Sequence, residues 1–72
     1  MTFYKLIAEH PLTPAGTLKV YEYCEKFQRV PLYCVYYTDK YTPAGCANVW
    51  RTGLTRKPSA RQIARYVETL SY

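Results

Sequence analysis

The sharpest hydrophobic pattern lies near the C-terminal end of the chain. Ile63, Tyr66, Val67 and Leu70 recur at i, i+3, i+4 and i+7, which gathers them into one apolar stripe of a helix. Ser59 stands before the stripe as an N-cap, and Gln62 three residues later completes a capping box. The pattern predicts an amphipathic helix over residues 60–71.

Upstream, the pattern is that of strands and turns. Residues 2–9 (TFYKLIAE) combine aromatic and β-favouring residues without a breaker and read as a strand. Residues 10–16 (HPLTPAG) hold two prolines and a glycine and read as a turn. Residues 32–38 (LYCVYYT) form the clearest strand, after the break at Pro31. Residues 39–45 (DKYTPAG) are a second turn, and residues 46–52 (CANVWRT) a further strand that Gly53 ends. The alternative for that last segment is a helix starting at Pro43, which Gly45 and Asn48 weaken.

Residues 17–30 fit two periods. As a strand, Leu18 and Val20 point one way while Lys19, Tyr21 and Tyr23 point the other. As a helix, Val20, Tyr23, Cys24 and Phe27 share a face. Glu22 with Lys26 and Glu25 with Arg29 then add pairs at the favourable i, i+4 spacing. Thr-Pro-Ala-Gly occurs at residues 13–16 and again at 42–45. With that offset of 29 residues, Val20 meets Val49 and Tyr21 meets Trp50. Two similar hairpins are implied, which favours the strand.

The expected fold is α+β: a small antiparallel sheet of three or four strands with the C-terminal amphipathic helix packed on one face. The alternative order is β-α-β-β-α. The candidate core is Phe3, Leu6, Ile7, Leu18, Val20, Phe27, Leu32, Val35, Val49, Trp50, Ile63, Val67 and Leu70. At 72 residues, one domain over 1–72 is expected. A core of this size does not enclose a deep pocket for a large cofactor.

Charge sharpens the picture. The net charge is +5. Residues 1–40 hold five basic and four acidic side chains, whereas residues 41–72 hold Arg51, Arg56, Lys57, Arg61 and Arg65 against Glu68 alone. Arg61 and Arg65 are four apart and project from one side of the predicted helix, where like charges repel by about 0.2–0.5 kcal/mol. Arg61 also sits in the first turn, where the helix dipole disfavours a cation by about 0.3–1 kcal/mol. Local stability does not select this arrangement, and an anionic partner reverses both signs. Nine tyrosines are the other unusual feature. Tyrosine favours strands and also suits surfaces that bind while staying wet.

Candidate chemistry is otherwise sparse. Cys24, Cys34, Cys46 and His10 could supply a Cys₃His zinc set, but the cysteines are ten and twelve residues apart, not in the close pairs that present two ligands to one ion. His10 beside Pro11 reads as a solvated turn residue. The carboxylates are scattered, and the three glycines stand alone, so no phosphate loop is present. No enzyme, metal or cofactor is expected. No apolar run approaches a membrane span, and the start of the chain lacks signal-peptide character. The odd cysteine count points the same way, so the expected setting is cytoplasmic.

In order and charge, residues 32–70 resemble small sheet-plus-helix modules that bind nucleic acid, such as the double-stranded-RNA-binding domain and the arm-binding domain of phage-type integrases. The resemblance rests on the strands LYCVYYT and CANVWRT, the polar loop at residues 53–58 and the basic helix SARQIARYVETL. A second resemblance joins Gly53-Leu54-Thr55 and the Arg-bearing helix to helix-turn-helix proteins, which requires residues 43–52 to be helical.

The functional expectation is a non-catalytic nucleic-acid-binding or regulatory protein, for DNA or RNA. Arg56, Lys57, Arg61 and Arg65 are expected to contact phosphates, with Arg51 and the exposed Tyr41 assisting. The alternative is a protein-interaction module, a small inhibitor or adaptor of phage or plasmid type, with homodimerisation through the same tyrosine-rich surface a further option.

Overall fold

A computed structural model describes residues 3–24 and 29–71, with the side chain of residue 3 excepted. Four strands are followed by one helix: β1 (Phe3–Pro11), β2 (Thr17–Cys24), β3 (Leu32–Thr38), β4 (Asn48–Leu54) and α1 (Ala60–Leu70). The strands form one sheet in the order β1-β2-β3-β4, each antiparallel to the next. The chain is therefore an α+β meander with a C-terminal helix.

The two-way reading of residues 17–30 resolves as strand for residues 17–24; Phe27 and the lysine and glutamate of the helical pairs lie outside the described residues. The reason is one of magnitude. The i, i+4 pairs of a helix contribute a few tenths of a kcal/mol. In the strand, Leu18 and Val20 are completely buried, which is about 1.5–3 kcal/mol for each. Pairing with β1 and β3 also satisfies the backbone of β2 on both sides.

One face of the sheet carries the core. Leu18, Val20 and Val35 meet Ile63 of α1 and Leu12 of the β1–β2 turn, ringed by Ile7, Tyr37, Trp50, Leu54, Tyr66, Val67 and Leu70. The register places Tyr4, Leu6, Tyr21, Tyr23, Cys34, Tyr36 and Val49 on the other face, which α1 does not cover.

Three expected core residues are therefore misplaced: Leu32, which pairs with Tyr23, lies half-buried on the uncovered face with Leu6 and Val49. Leu6 is 44% and Val49 is 59% exposed. A bulge after Leu6 turns both Ile7 and Ala8 toward the helix and leaves Leu6 opposite Tyr21 on the uncovered face. A second irregularity pairs Val35 with Arg51 and Tyr36 with Val49, so Trp50 turns to the core and Val49 away from it. Leu12 and Tyr23 are buried although neither was placed in the expected core, and Cys34 is buried as well.

The boundaries also shift. β1 continues through His10 and Pro11, which pair with Leu18 and Thr17 where a turn was expected. Pro11 is tolerated because β1 is an edge strand. β4 starts at Asn48 instead of residue 46 and runs through Gly53 to Leu54. Residues 43–52 are loop and strand, which removes the helix from Pro43 and with it the helix-turn-helix resemblance.

The two Thr-Pro-Ala-Gly segments do occupy equivalent hairpin connections. In the first, the Leu12 N–H donates to the Gly16 carbonyl at 3.0 Å, and the Thr13–Pro14 peptide is cis. In the second, Asp39 and Thr42 knot the loop: the Tyr41 N–H donates to Asp39 Oδ1 at 2.9 Å, and Asn48 Nδ2 donates to Thr42 Oγ1 at 2.8 Å. α1 begins as expected, with the Gln62 N–H donating to Ser59 Oγ at 3.2 Å. Its far end is tied to the first hairpin, where the Thr13 N–H donates to Ser71 Oγ at 3.2 Å. The helix thus runs from the end of β4 back to the β1–β2 turn. No helix among the described residues is long and apolar enough to cross a membrane.

Candidate nucleic-acid interface

The course of α1 across the sheet leaves a groove between the helix and β4. Its wall is aromatic. The Trp50 ring stands edge-on to Tyr37 (6.0 Å between centroids) and to Tyr66 (6.2 Å). The Arg51 guanidinium lies over this wall, 4.7 Å from the Trp50 ring centre and 5.9 Å from that of Tyr66. Arg51 Nη1 donates to the Trp50 carbonyl at 2.9 Å. One N–H and one aromatic face thus hold the fork, and its other donors remain for a partner.

The groove has two stretches that share Gln62 and Tyr66. Arg51 and Arg65 line the first, with Thr69; Arg56 and Lys57 line the second, with Leu54, Thr55 and Ser59. Among the described residues, no acidic side chain lines either stretch. Four of the six expected residues therefore line these two adjoining stretches, Arg51 and Arg65 in one and Arg56 and Lys57 in the other, and all four are exposed.

The other two stand apart from it. Arg61 is exposed on α1, one turn before Arg65 in the helix, and lies outside the groove lining. Tyr41 is 73% exposed in the β3–β4 loop, with Lys40 Nζ 5.1 Å from its ring centre. It lies where β4 begins, whereas Arg56 and Lys57 follow the end of β4. Seven residues of strand at about 3.3 Å each separate the two ends. Two aromatic surfaces that charge counting does not find are the Trp50–Tyr66 wall and the tyrosine-rich face of the sheet. The nine tyrosines signalled the second; nothing local signalled the first.

On that uncovered face the rings pack against one another. Tyr4 meets Tyr21 (6.2 Å) and Tyr23 (5.4 Å), and Tyr21 meets Tyr36 (5.7 Å). Tyr36 is hydrogen-bonded to Tyr4 and Cys34. Burial foremost, then the neighbouring Cys34 and Tyr4, push its phenol up to about 12. Burial also raises the Cys34 thiol.

A larger groove of about 640 Å³ lies on the other side of α1, against β1. Its lining is mainly small and aliphatic, with Ile7, Ala8, Ile63, Ala64 and Val67. Size alone does not make it a site, because few polar groups converge there. His10 belongs to this groove, half-buried in β1, and not to a solvated turn. It sits on the helix side of the sheet and Cys34 on the other, so the two do not form a nucleophile–base pair. Among the described residues no three His, Cys, Asp or Glu side chains gather as a metal site.

Comparison of the chain with protein-family models, with curated proteins and with solved structures gives no match.

Proposed function

We propose that the chain is a non-catalytic nucleic-acid-binding or regulatory protein that grips phosphates along the groove between β4 and α1. One observation carries the reading: four cations line two adjoining pockets that share Gln62 and Tyr66, and no carboxylate of the described residues lines either. Arg51 and Arg65 present planar donor forks suited to phosphate oxygens, and Arg56 and Lys57 add charge beside the start of the helix. Arg61 adds to the field from the exposed side of α1. A cytoplasmic setting belongs to the same reading, supported by the odd number of cysteines, three, which cannot all pair within one chain.

Binding of this kind releases counterions. Four neutralised phosphates on a duplex give a slope of log affinity against log salt of about −3.6. The test is fluorescence anisotropy of labelled duplex and single-stranded DNA and RNA, at low and at physiological salt. The expected result is micromolar or tighter binding that weakens steeply with salt. A folded variant carrying Arg56→Ala, Lys57→Ala, Arg61→Ala and Arg65→Ala that binds as the wild type does refutes the assignment.

A second reading, a protein-interaction module or homodimer, is favoured by Tyr4, Leu6 and Val49, which stand exposed on the uncovered face. Its mark is a partner that survives nuclease treatment, or a concentration-dependent dimer in sedimentation.

A further inference from the structure

We infer that the uncovered face of the sheet is a stacking surface for the bases of single-stranded nucleic acid, with Lys19 placed for a neighbouring phosphate. The inference rests on the nucleic-acid reading of the basic groove and specifies the form of nucleic acid that the protein takes.

The face is built of rings where aliphatic side chains are the usual choice. Tyr4, Tyr21 and Tyr36 come from three adjacent strands, and Tyr4 is 56% exposed. Rings on a sheet offer π-faces to unpaired bases, and this works with any base because every base has one. A duplex cannot use such a surface, since its base faces are already stacked on one another.

The site has shape as well as chemistry. A cavity of about 540 Å³ lies between these rings and residues 45–47 of the β3–β4 loop. Among the described residues, Lys19 is the one charged side chain in its lining, and Thr17 and Thr38 add hydroxyls. Glu9 faces Lys19 across the β1–β2 register but lies outside the lining.

The two surfaces are within reach of one strand. β4 is an edge strand, with Val49 on the tyrosine side and Trp50 on the groove side. The shortest dimension of the molecule is 14 Å, about four nucleotides at the ~3.4 Å rise of a stacked strand. A single strand can therefore cross the β4 edge, with bases on the tyrosines and phosphates in the basic groove.

The test compares labelled oligothymidylate with a labelled duplex, for wild type, Tyr4→Ala, Tyr4→Phe and Lys19→Ala, each checked for fold by circular dichroism. Tyr4→Ala is expected to weaken oligothymidylate binding by about 5- to 100-fold and to leave the duplex unchanged. Tyr4→Phe keeps the ring and retains single-strand affinity. Lys19→Ala lowers the single-strand salt slope by about 0.7, and it reports on the face even if Tyr4→Ala fails to fold. If Tyr4→Ala and Lys19→Ala bind oligothymidylate like wild type, the stacking surface is refuted. The phosphate reading then stands provided the quadruple basic variant still loses binding. If wild type binds no nucleic acid at low salt, both readings fall. A dimer in sedimentation that Tyr4→Ala dissolves assigns the face to a second copy and overturns the inference.

Discussion

The two Thr-Pro-Ala-Gly turns offer an internally controlled experiment, because the same substitution meets different surroundings. Gly16 has φ +117° and Gly45 has φ +82°, and L side chains rarely adopt either. A Cβ at Gly16 would lie 2.0 Å from the Thr38 carbonyl oxygen and 2.8 Å from its carbon, both backbone atoms of the adjoining strand end. A Cβ at Gly45 would meet nothing within 4 Å. Gly45→Ala therefore costs backbone strain alone, about 1–2 kcal/mol. Gly16→Ala adds an overlap that no rotamer can relieve, because the first hairpin must shift away from β3. Strain of about 1–3 kcal/mol and overpacking of about 1–3 kcal/mol sum to about 2–6 kcal/mol.

A domain of this length has about 4–11 kcal/mol in all, so Gly16→Ala removes a large fraction of it. Urea denaturation of both variants beside wild type measures the difference, and a fall in Tm of about 4–8 °C per kcal/mol gives a second readout. Gly16→Ala unfolding within about 0.5 kcal/mol of Gly45→Ala would refute the close approach of the hairpin to Thr38, since that overlap is what separates the two sites.

Other outcomes follow from the same contacts. Tyr36 has its phenol raised to about 12, so the fold favours the neutral form. That stabilisation is whole below the unfolded value near 10 and is lost as pH rises from about 10 to about 12. The loss of urea midpoint over that window should be smaller in Tyr36→Phe, and an equal loss contradicts the assignment. Trp50 Nε1 is buried without a hydrogen-bond partner. Trp50→Phe removes that donor along with some ring area and should stay within about 1 kcal/mol of wild type, whereas Trp50→Ala should cost about 3 kcal/mol or more in the same titration. Ser59→Ala removes the acceptor for the Gln62 N–H and should cost about 1 kcal/mol in thermal unfolding. Cys46 is exposed and Cys34 buried with a raised thiol, so iodoacetamide followed by mass spectrometry should label Cys46 well before Cys34.

Local patterns were enough for much of this molecule. The helix was legible because its stripe, cap and length all agree within a dozen residues. The sheet was legible as strands because turn residues recur at regular intervals and one of the two turns repeats. The charge of the C-terminal third could be counted directly. Three things could not be read this way. The first was the side of the sheet on which Leu6 and Val49 lie. A single extra residue in a strand reverses every face that follows it, and bulges are set by the partner strand and not by the segment itself. The second was which cations act together. Arg51 and Arg65 share a groove only because α1 crosses back over the sheet beside β4, and Tyr41 is set apart because the length of β4 intervenes. The strand identity of residues 17–24 belongs here too: two periods fit the segment, and pairing with β1 and β3 chose between them. What depends on neighbours along the chain was determined by the sequence alone; what depends on neighbours across the sheet was decided only when the strands paired.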